Sequence, residues 1–374
     1  MTPGEPAKAL TLGSLRGGAP EPLSEFRRRG TPVARMRLLI ETHHPAHVHF
    51  FRNAIGIWRS RGDEVLLLGR DRDVMKKLLS AYDFIPHEVL TAQRKNNRFP
   101  MEEMLQRQAK VMARIHRFKP DAVLSLMGSY TQSAALFRLP NVIFTDSEFQ
   151  SFNHRIAHPF ATRIYTPDCF WKELGKKQRR YRGYHELAFL HPSRFTARKE
   201  VLGMMGDPEP GSYVVLRMSA WNTLHDIGKK GFGDQFDAFM SQLTRRARVY
   251  LVPEGGALPE RWESYRLQIK PEWFHDALAF ARLVVTEGAS TASEAACLGV
   301  PAVYLNTTER GYLNDQERRY GLVANFKEAP SALKKTLEML DSPAPAGHYT
   351  AARDRLVADH IDVTDYVVRE IDEL

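Results

Sequence analysis

From Met36 onward, short apolar runs alternate with longer stretches whose apolar positions recur every three or four residues, the signatures of buried strands and amphipathic helices in turn. Arg37–Glu41, Glu64–Gly69, Pro86–Leu90, Ala122–Leu126 and Val142–Thr145 read as strands, and Val48–Arg61, Val74–Tyr82, Met101–Phe118 and Thr131–Phe137 as the helices between them. After about Arg198 the alternation restarts, with strands over Tyr213–Met218 and Arg248–Pro253 and helices over Phe232–Thr244 and Trp273–Ala281. The last unit, Val284 to Leu305, reads as buried strand, turn of small hydroxylic residues, helix and second buried strand. Strand–helix alternation implies parallel sheets covered by helices on both faces. The expectation is an α/β protein of two Rossmann-like domains, residues 36–198 and 199–348, facing each other across a cleft. Residues 349–374, with Leu356, Ile361, Tyr366, Val367 and Ile371 apolar, read as a terminal helix.

The most chemically suggestive stretch is Thr286-Glu287-Gly288-Ala289-Ser290-Thr291, which opens the helix of that last unit. A helix beginning there offers unpaired backbone N–H groups, two hydroxyls and the positive end of its dipole, a site suited to phosphate. Glu294 falls one turn beyond Ser290 and could accept hydrogen bonds from a diol such as a ribose. Phosphate plus diol suggests a nucleotide, although Ser290 or Thr291 could simply cap the helix. Arg217, in the strand Tyr213–Met218, could clamp a diphosphate or bridge a buried carboxylate. Glu254 and Gly255 end another strand, where a flexible turn lets the backbone approach a ligand closely.

His43, His44, His47 and His49 cluster after the first strand. Their spacing matches no standard metal site, because Pro45 disfavours helical geometry at His44. A histidine at the end of that strand could instead act as general base on a hydroxyl, or hydrogen-bond a departing phosphate. Asp146 and Glu148 end a strand of the same domain, and either could be the base in place of a histidine.

Composition narrows the partners. The 374 residues are 43% hydrophobic and 26% charged, ordinary for a globular protein, and the formal charge of +9 favours anionic ligands. Basic clusters at 27–29, 176–182 and 245–248 accompany no nucleic-acid module and read as solvated faces, so no nucleic acid is expected. The apolar run from Ala277 to Val285 is broken by Arg282 and falls far short of the roughly 20 residues a membrane span needs. Cys169 and Cys297 give neither a disulfide framework nor a zinc spacing, which points to a reducing cytoplasm. Residues 1–35, rich in Gly, Pro, Ala and Arg, read as a disordered extension before an alternative start at Met36, and their removal is expected to leave activity intact.

Glu287-Gly288-Ala289-Ser290 with Glu294 and Gly299-Val300-Pro301 resembles the nucleotide-sugar segment of GT-B enzymes such as the peptidoglycan N-acetylglucosaminyltransferase. Thr307-Thr308-Glu309-Arg310 resembles the non-hydrolysing UDP-GlcNAc 2-epimerases, which share that fold. Pro45-Ala46-His47-Val48-His49-Phe50-Phe51 and Glu186-Leu187-Ala188-Phe189-Leu190-His191-Pro192 are similar to an uncharacterised, mainly archaeal and bacterial family for which the same fold is predicted. These resemblances imply a GT-B fold with the C-terminal helix packed back on the first domain. They single out His47 and His49 among the histidines, and place Thr308, Glu309 and Arg310 beside a nucleotide-sugar. The implied reaction is metal- and cofactor-independent transfer of a sugar, UDP-linked in the donor, to a hydroxyl acceptor in surface polysaccharide or glycoconjugate synthesis. A lipid-linked acceptor and peripheral contact with the inner face of the membrane are compatible with it. Nucleotide-sugar 2-epimerisation is the alternative, disfavoured because Glu41-Thr42-His43-His44-Pro45 stands where epimerases carry Gly-Thr-Arg-Pro-Glu. A non-catalytic scaffold of the same fold is the third.

Overall fold

The computed structural model describes residues 35–374 apart from 72, 83–84, 93–99, 220–230, 255–257, 343 and 346. The apolar runs form β1 (Arg37–Thr42), β2 (Glu64–Asp71), β3 (His87–Ala92), β4 (Ala122–Ser125) and β5 (Asn141–Phe144), and two further strands follow, β6 (Arg163–Pro167) and β7 (Gln178–Tyr181). Together they make a parallel sheet ordered β3-β2-β1-β4-β5-β6-β7. Between and after these strands run α1 (Pro45–Ser60), α2 (Asp73–Ala81), α3 (Pro100–Phe118), α4 (Thr131–Leu136), α5 (Ser151–Ala157), α6 (Leu187–Leu190) and α7 (Glu200–Met204).

β6 and β7 were not expected from the pattern. β7 lies inside the basic stretch read as a solvated face, and its Arg179 and Arg180 are indeed exposed. Cationic side chains on a sheet's edge discourage pairing with another chain, so a charged stretch can still be a strand.

Helix α1 starts three residues before the expected Val48. His44 is extended (φ −144°, ψ 148°), its Nδ1 accepts from the Ala46 N–H at 3.2 Å, and Pro45 occupies the first turn, where a missing N–H costs nothing. Val48, Phe50, Phe51, Ala54, Ile55 and Trp58 are thereby buried beneath the sheet.

The second sheet comprises β8 (Tyr213–Met218), β9 (Arg248–Pro253), β10 (Leu283–Thr286), β11 (Ala302–Leu305) and β12 (Val323–Phe326), ordered β12-β11-β10-β8-β9 and also parallel. Its helices are α8 (Phe236–Leu243), α9 (Phe274–Ala279), α10 (Ala289–Leu298), α11 (Gly311–Tyr320) and α12 (Ala329–Asp341). Gly299 ends α10 in the left-handed conformation (φ 80°), which a side chain would disfavour. The protein therefore has two Rossmann-like domains, and one apolar cluster runs from α1 through α6 into Ala292, Ala295 and Ala296 of α10.

The C-terminal segment is two helices, α13 (His348–Asp359) and α14 (Val363–Asp372), where one was expected. Asp362 breaks it, accepting from the N–H groups of Thr364 (2.9 Å) and Asp365 (3.3 Å) as the cap of α14. Helix α13 packs on α10 and α11, whereas α14 packs on α1 and α6, so the chain crosses back to the first domain at this cap. Asp362 also accepts from Arg194 Nε (2.6 Å) and Ser193 Oγ (2.7 Å), and Thr364 Oγ1 donates to the Ala188 carbonyl (2.6 Å). Asp362→Ala removes the cap and an ionic partner of Arg194. It should lower unfolding stability by about 1–2 kcal/mol in urea titration, and an unchanged midpoint would show that the crossing is held by apolar packing alone.

Candidate active-site cleft

Each sheet has one point where successive connections part in opposite directions, between β1 and β4 in the first and between β8 and β10 in the second. Such points leave a crevice beyond the carboxyl ends of the strands. A cavity of about 470 Å³ opens there, walled by His43, His44 and His47 after β1, by Asp146 after β5, by His185 and Glu186 before α6, and by Ser290 of the second domain.

Two imidazole–carboxylate pairs occupy the first-domain wall. Glu41, fully buried at the end of β1, accepts from the Ser129 N–H at 2.8 Å and holds His43 Nε2 2.7 Å from its other oxygen. His43 packs edge-on against Tyr130. The second pair is Asp146 and His185, with Oδ2 and Nδ1 3.3 Å apart. Burial lowers the His185 pKa against the opposing pull of Asp146, so the ring stays neutral at neutral pH. Its Nε2 is buried and has no hydrogen-bond partner among the described residues. Beside it, Glu186 accepts from Ser293 Oγ of α10 at 2.8 Å, and burial pushes its carboxyl well above the ordinary range.

On the second-domain side Gly288 is extended at the start of α10 (φ −91°, ψ 116°), and its N–H donates to Thr286 Oγ1 at 2.9 Å. Gly288 has no side chain to cap this end. Ala289 and Ser290 follow in the first turn, half-buried. The Arg217 guanidinium donates to Thr291 Oγ1, lies 3.9 Å from the exposed Glu254 carboxylate, and sits 5.6 Å from the centre of the Phe274 ring. Glu254 in turn lies 4.0 Å from His44 Nε2, across the cleft.

Of the residues singled out in the sequence, the structure brings His47, Asp146 and Ser290 to the cavity, with Arg217, Thr291 and Glu254 close to the start of α10. His49 does not reach the cavity wall. It stacks on Phe189 (5.3 Å) and meets His275 of α9 edge-on (4.6 Å) between the domains, and burial drives its pKa well below the usual value. Glu294 is buried with its carboxylate 3.2 Å from His275 Nε2, so a ribose there would compete with an imidazole. Glu287 accepts from the N–H groups of Ser219 (2.8 Å) and Phe232 (2.6 Å), ordering backbone rather than facing a ligand. Thr308 is held through its N–H by Asn306 Oδ1 (2.9 Å), Glu309 pairs with Lys327 on the surface (2.7 Å), and Arg310 covers Phe149 at 3.7 Å. Gly255 lies outside the described residues. Glu41, His43, His185 and Glu186 belong to the site without having been assigned chemistry. Glu186 opens a stretch quoted for family resemblance, and His43 lies in the histidine cluster, so a signal existed for both.

The chain belongs to the family described as "Protein of unknown function (DUF354)", whose pattern matches residues 36–315. No curated protein matches it significantly in sequence. Among solved structures it is similar to UDP-GlcNAc 2-epimerase from Neisseria meningitidis bound to UDP-GlcNAc (TM-score 0.66, 12% identity, 91% of this chain and 100% of that one). It is also similar to UDP-GlcNAc 2-epimerase from Methanocaldococcus jannaschii (TM-score 0.60, 11% identity, 91% and 100%). A glycosyltransferase of Streptomyces sp. SF2575 has TM-score 0.58 at 15% identity, over 90% and 100%. These likenesses establish the GT-B-type fold.

Glu148 stands apart from the cavity wall as a clasp between domains. Its Oε1 accepts from the Gly311 N–H at 3.1 Å, at the start of α11 and so close that a Cβ on Gly311 would collide with it and with the Cys169 carbonyl. Burial raises the Glu148 pKa from 4.5 to about 7, with Asp146 adding to the rise. A carboxyl with a raised folded pKa contributes stability fully below about 4.5, and that contribution is lost as pH climbs through about 7. Glu148→Gln keeps a group able to accept from Gly311 but removes the titration. Its stability relative to the parent should therefore rise across that window by roughly 2–3 kcal/mol in denaturant titrations, and a pH-independent difference would contradict the assignment.

Proposed function

We propose that the protein is a nucleotide-sugar-dependent glycosyltransferase, taking a sugar from a UDP-linked donor to a hydroxyl acceptor. The observation that carries this reading is the shared cavity, in which Ser290 of the first turn of α10 faces the same space as Asp146 and His185 of the other domain. The open end of α10 suits a diphosphate, through backbone N–H groups, the dipole and the Ser290 hydroxyl, with Arg217 close by. The opposite wall suits the acceptor. His185, neutral and paired with Asp146, takes the acceptor hydroxyl proton on Nε2, which must turn from its buried position to the cavity, as that oxygen bonds to the anomeric carbon. The bond from the anomeric carbon to the phosphate oxygen breaks, and its electron pair leaves on the diphosphate, stabilised by the helix end and Arg217. Asp146 stabilises the imidazolium that results.

A second reading, epimerisation at the second carbon of the donor sugar, draws on Glu41–His43, the other imidazole–carboxylate pair on the same wall. Removing a proton from one face and returning one to the other calls for two acid–base groups. The two readings separate when a donor sugar is incubated alone in deuterated water, since only epimerisation places deuterium on the second carbon.

The donor assignment is tested by thermal shift. UDP and UDP-sugars should raise the melting temperature of the parent and of His185→Gln, and not that of Arg217→Ala, because a ligand selective for the folded state stabilises it. Turnover in His185→Gln should fall by about 10²–10⁴-fold. Stabilisation by adenine dinucleotides alone, or full turnover in His185→Gln, would overturn the assignment.

A further inference from the structure

Large apolar side chains at the surface are common singly and informative when they gather. Phe152 (73% exposed), Phe160 (47%), Trp171 (49%) and Leu136 (71%) gather on the first domain. They stand on α5, the following turn His158–Phe160, the loop before β7 and the end of α4, which packs on that turn. Lys172 Nζ donates to Ser151 Oγ (3.1 Å) and Lys177 Nζ to the Pro159 carbonyl (2.7 Å), so the loop and the turn are bound into one face.

The same face is cationic. A shallow groove of about 720 Å³ runs between these segments, walled by Arg155, Lys172, Lys176 and Lys177 against one acid, Glu173, which pairs with Arg180 at 2.7 Å. His154 and His158 stack on each other at the groove's edge (4.5 Å). Burial lowers both of their pKa values, that of His158 to about 4, so they add no charge at neutral pH. Aromatic rings that can enter an acyl layer, ringed by cations at headgroup level, are the composition of a surface that lies on an anionic bilayer. A second copy fits poorly, because a two-fold contact would set these four cations against their own images.

We propose that this face docks the protein on an anionic phospholipid membrane, with Phe152, Phe160 and Trp171 inserted and Arg155, Lys172, Lys176 and Lys177 on the headgroups. Helix α5 links the face to the cleft: Asn153 lines the cavity, while Phe152 and Arg155 on the same helix belong to the docking face. Docking therefore sets the cavity beside the lipid surface, where an acceptor hydroxyl carried on a membrane lipid can reach it. That last step rests on the transferase reading; the docking does not.

Co-sedimentation of the full chain with vesicles tests the proposal. The protein should pellet with mixed phosphatidylcholine–phosphatidylglycerol vesicles and not with phosphatidylcholine alone, and binding should weaken as salt rises. The altered side chains are exposed, so Phe152→Ser with Phe160→Ser, and Arg155→Glu with Lys176→Glu, should each lower the bound fraction at least about fivefold. Both variants should keep the nucleotide-induced thermal shift, which separates this proposal from the donor assignment. Equal binding to both vesicle types, or binding undiminished in both variants, would overturn it. So would a concentration-dependent dimer in ultracentrifugation that Phe152→Ser abolishes, or retention on single-stranded RNA at a salt that leaves the vesicles bare.

Discussion

Glu186 is a carboxyl taken almost wholly out of water, where burial favours its neutral form and a polar group left without hydrogen bonds costs about 2 kcal/mol or more. Ser293 Oγ supplies one such bond at 2.8 Å, and Gln316 Nε2 donates to that same Ser293 oxygen at 2.8 Å. The chain of contacts runs from α11 through α10 into the segment that ends the first domain. Its geometric consequence is specific. Ser293 lies one turn after Ser290, so turning Ser293 toward Glu186 brings the start of α10 to the cavity. The cleft's two chemical walls are thus set by one buried polar contact, flanked by the Glu148–Gly311 clasp and by the His49–His275–Glu294 group.

The two walls differ in kind. The second domain offers an open helix end and an arginine, groups that hold charge without moving protons. The first domain offers imidazoles held by carboxylates, Glu41 to His43 and Asp146 to His185, in surroundings dry enough to keep His185 neutral. A division into a wall that binds anions and a wall that moves protons fits chemistry at a phosphate-linked carbon. It also explains why the buried interdomain layer holds so many ionisable groups: carboxylates and histidines aimed at a substrate must be partnered from behind.

Much of the fold was legible because periodicity is a local property. The strands from β1 to β5 and β8 to β11, and the helix after β10, follow from the alternation of apolar positions and from small residues at the turns. The edge strand β7 was hidden because its burial pattern is set by lying at the sheet's margin, where arginines are tolerated. Site residues were harder. Glu294, Glu287 and Glu148 are the right type at the right end of a strand or on the right helix, yet each is engaged by a partner distant in sequence: His275, the backbone of Phe232, and Gly311. His185 and Glu186 follow β7, the strand its arginines conceal, and only folding reveals that they close the cavity. Spacing along a chain can nominate a carboxylate, but not say which imidazole or N–H will claim it.

On the proposed function the amino end of α10 receives the donor's diphosphate. Amide hydrogen exchange resolved to single residues, with and without UDP, reads this directly. Slowed exchange should concentrate at Ala289, Ser290 and Thr291. Protection absent from these amides while UDP is bound, or confined to the first-domain wall around His185, would contradict it.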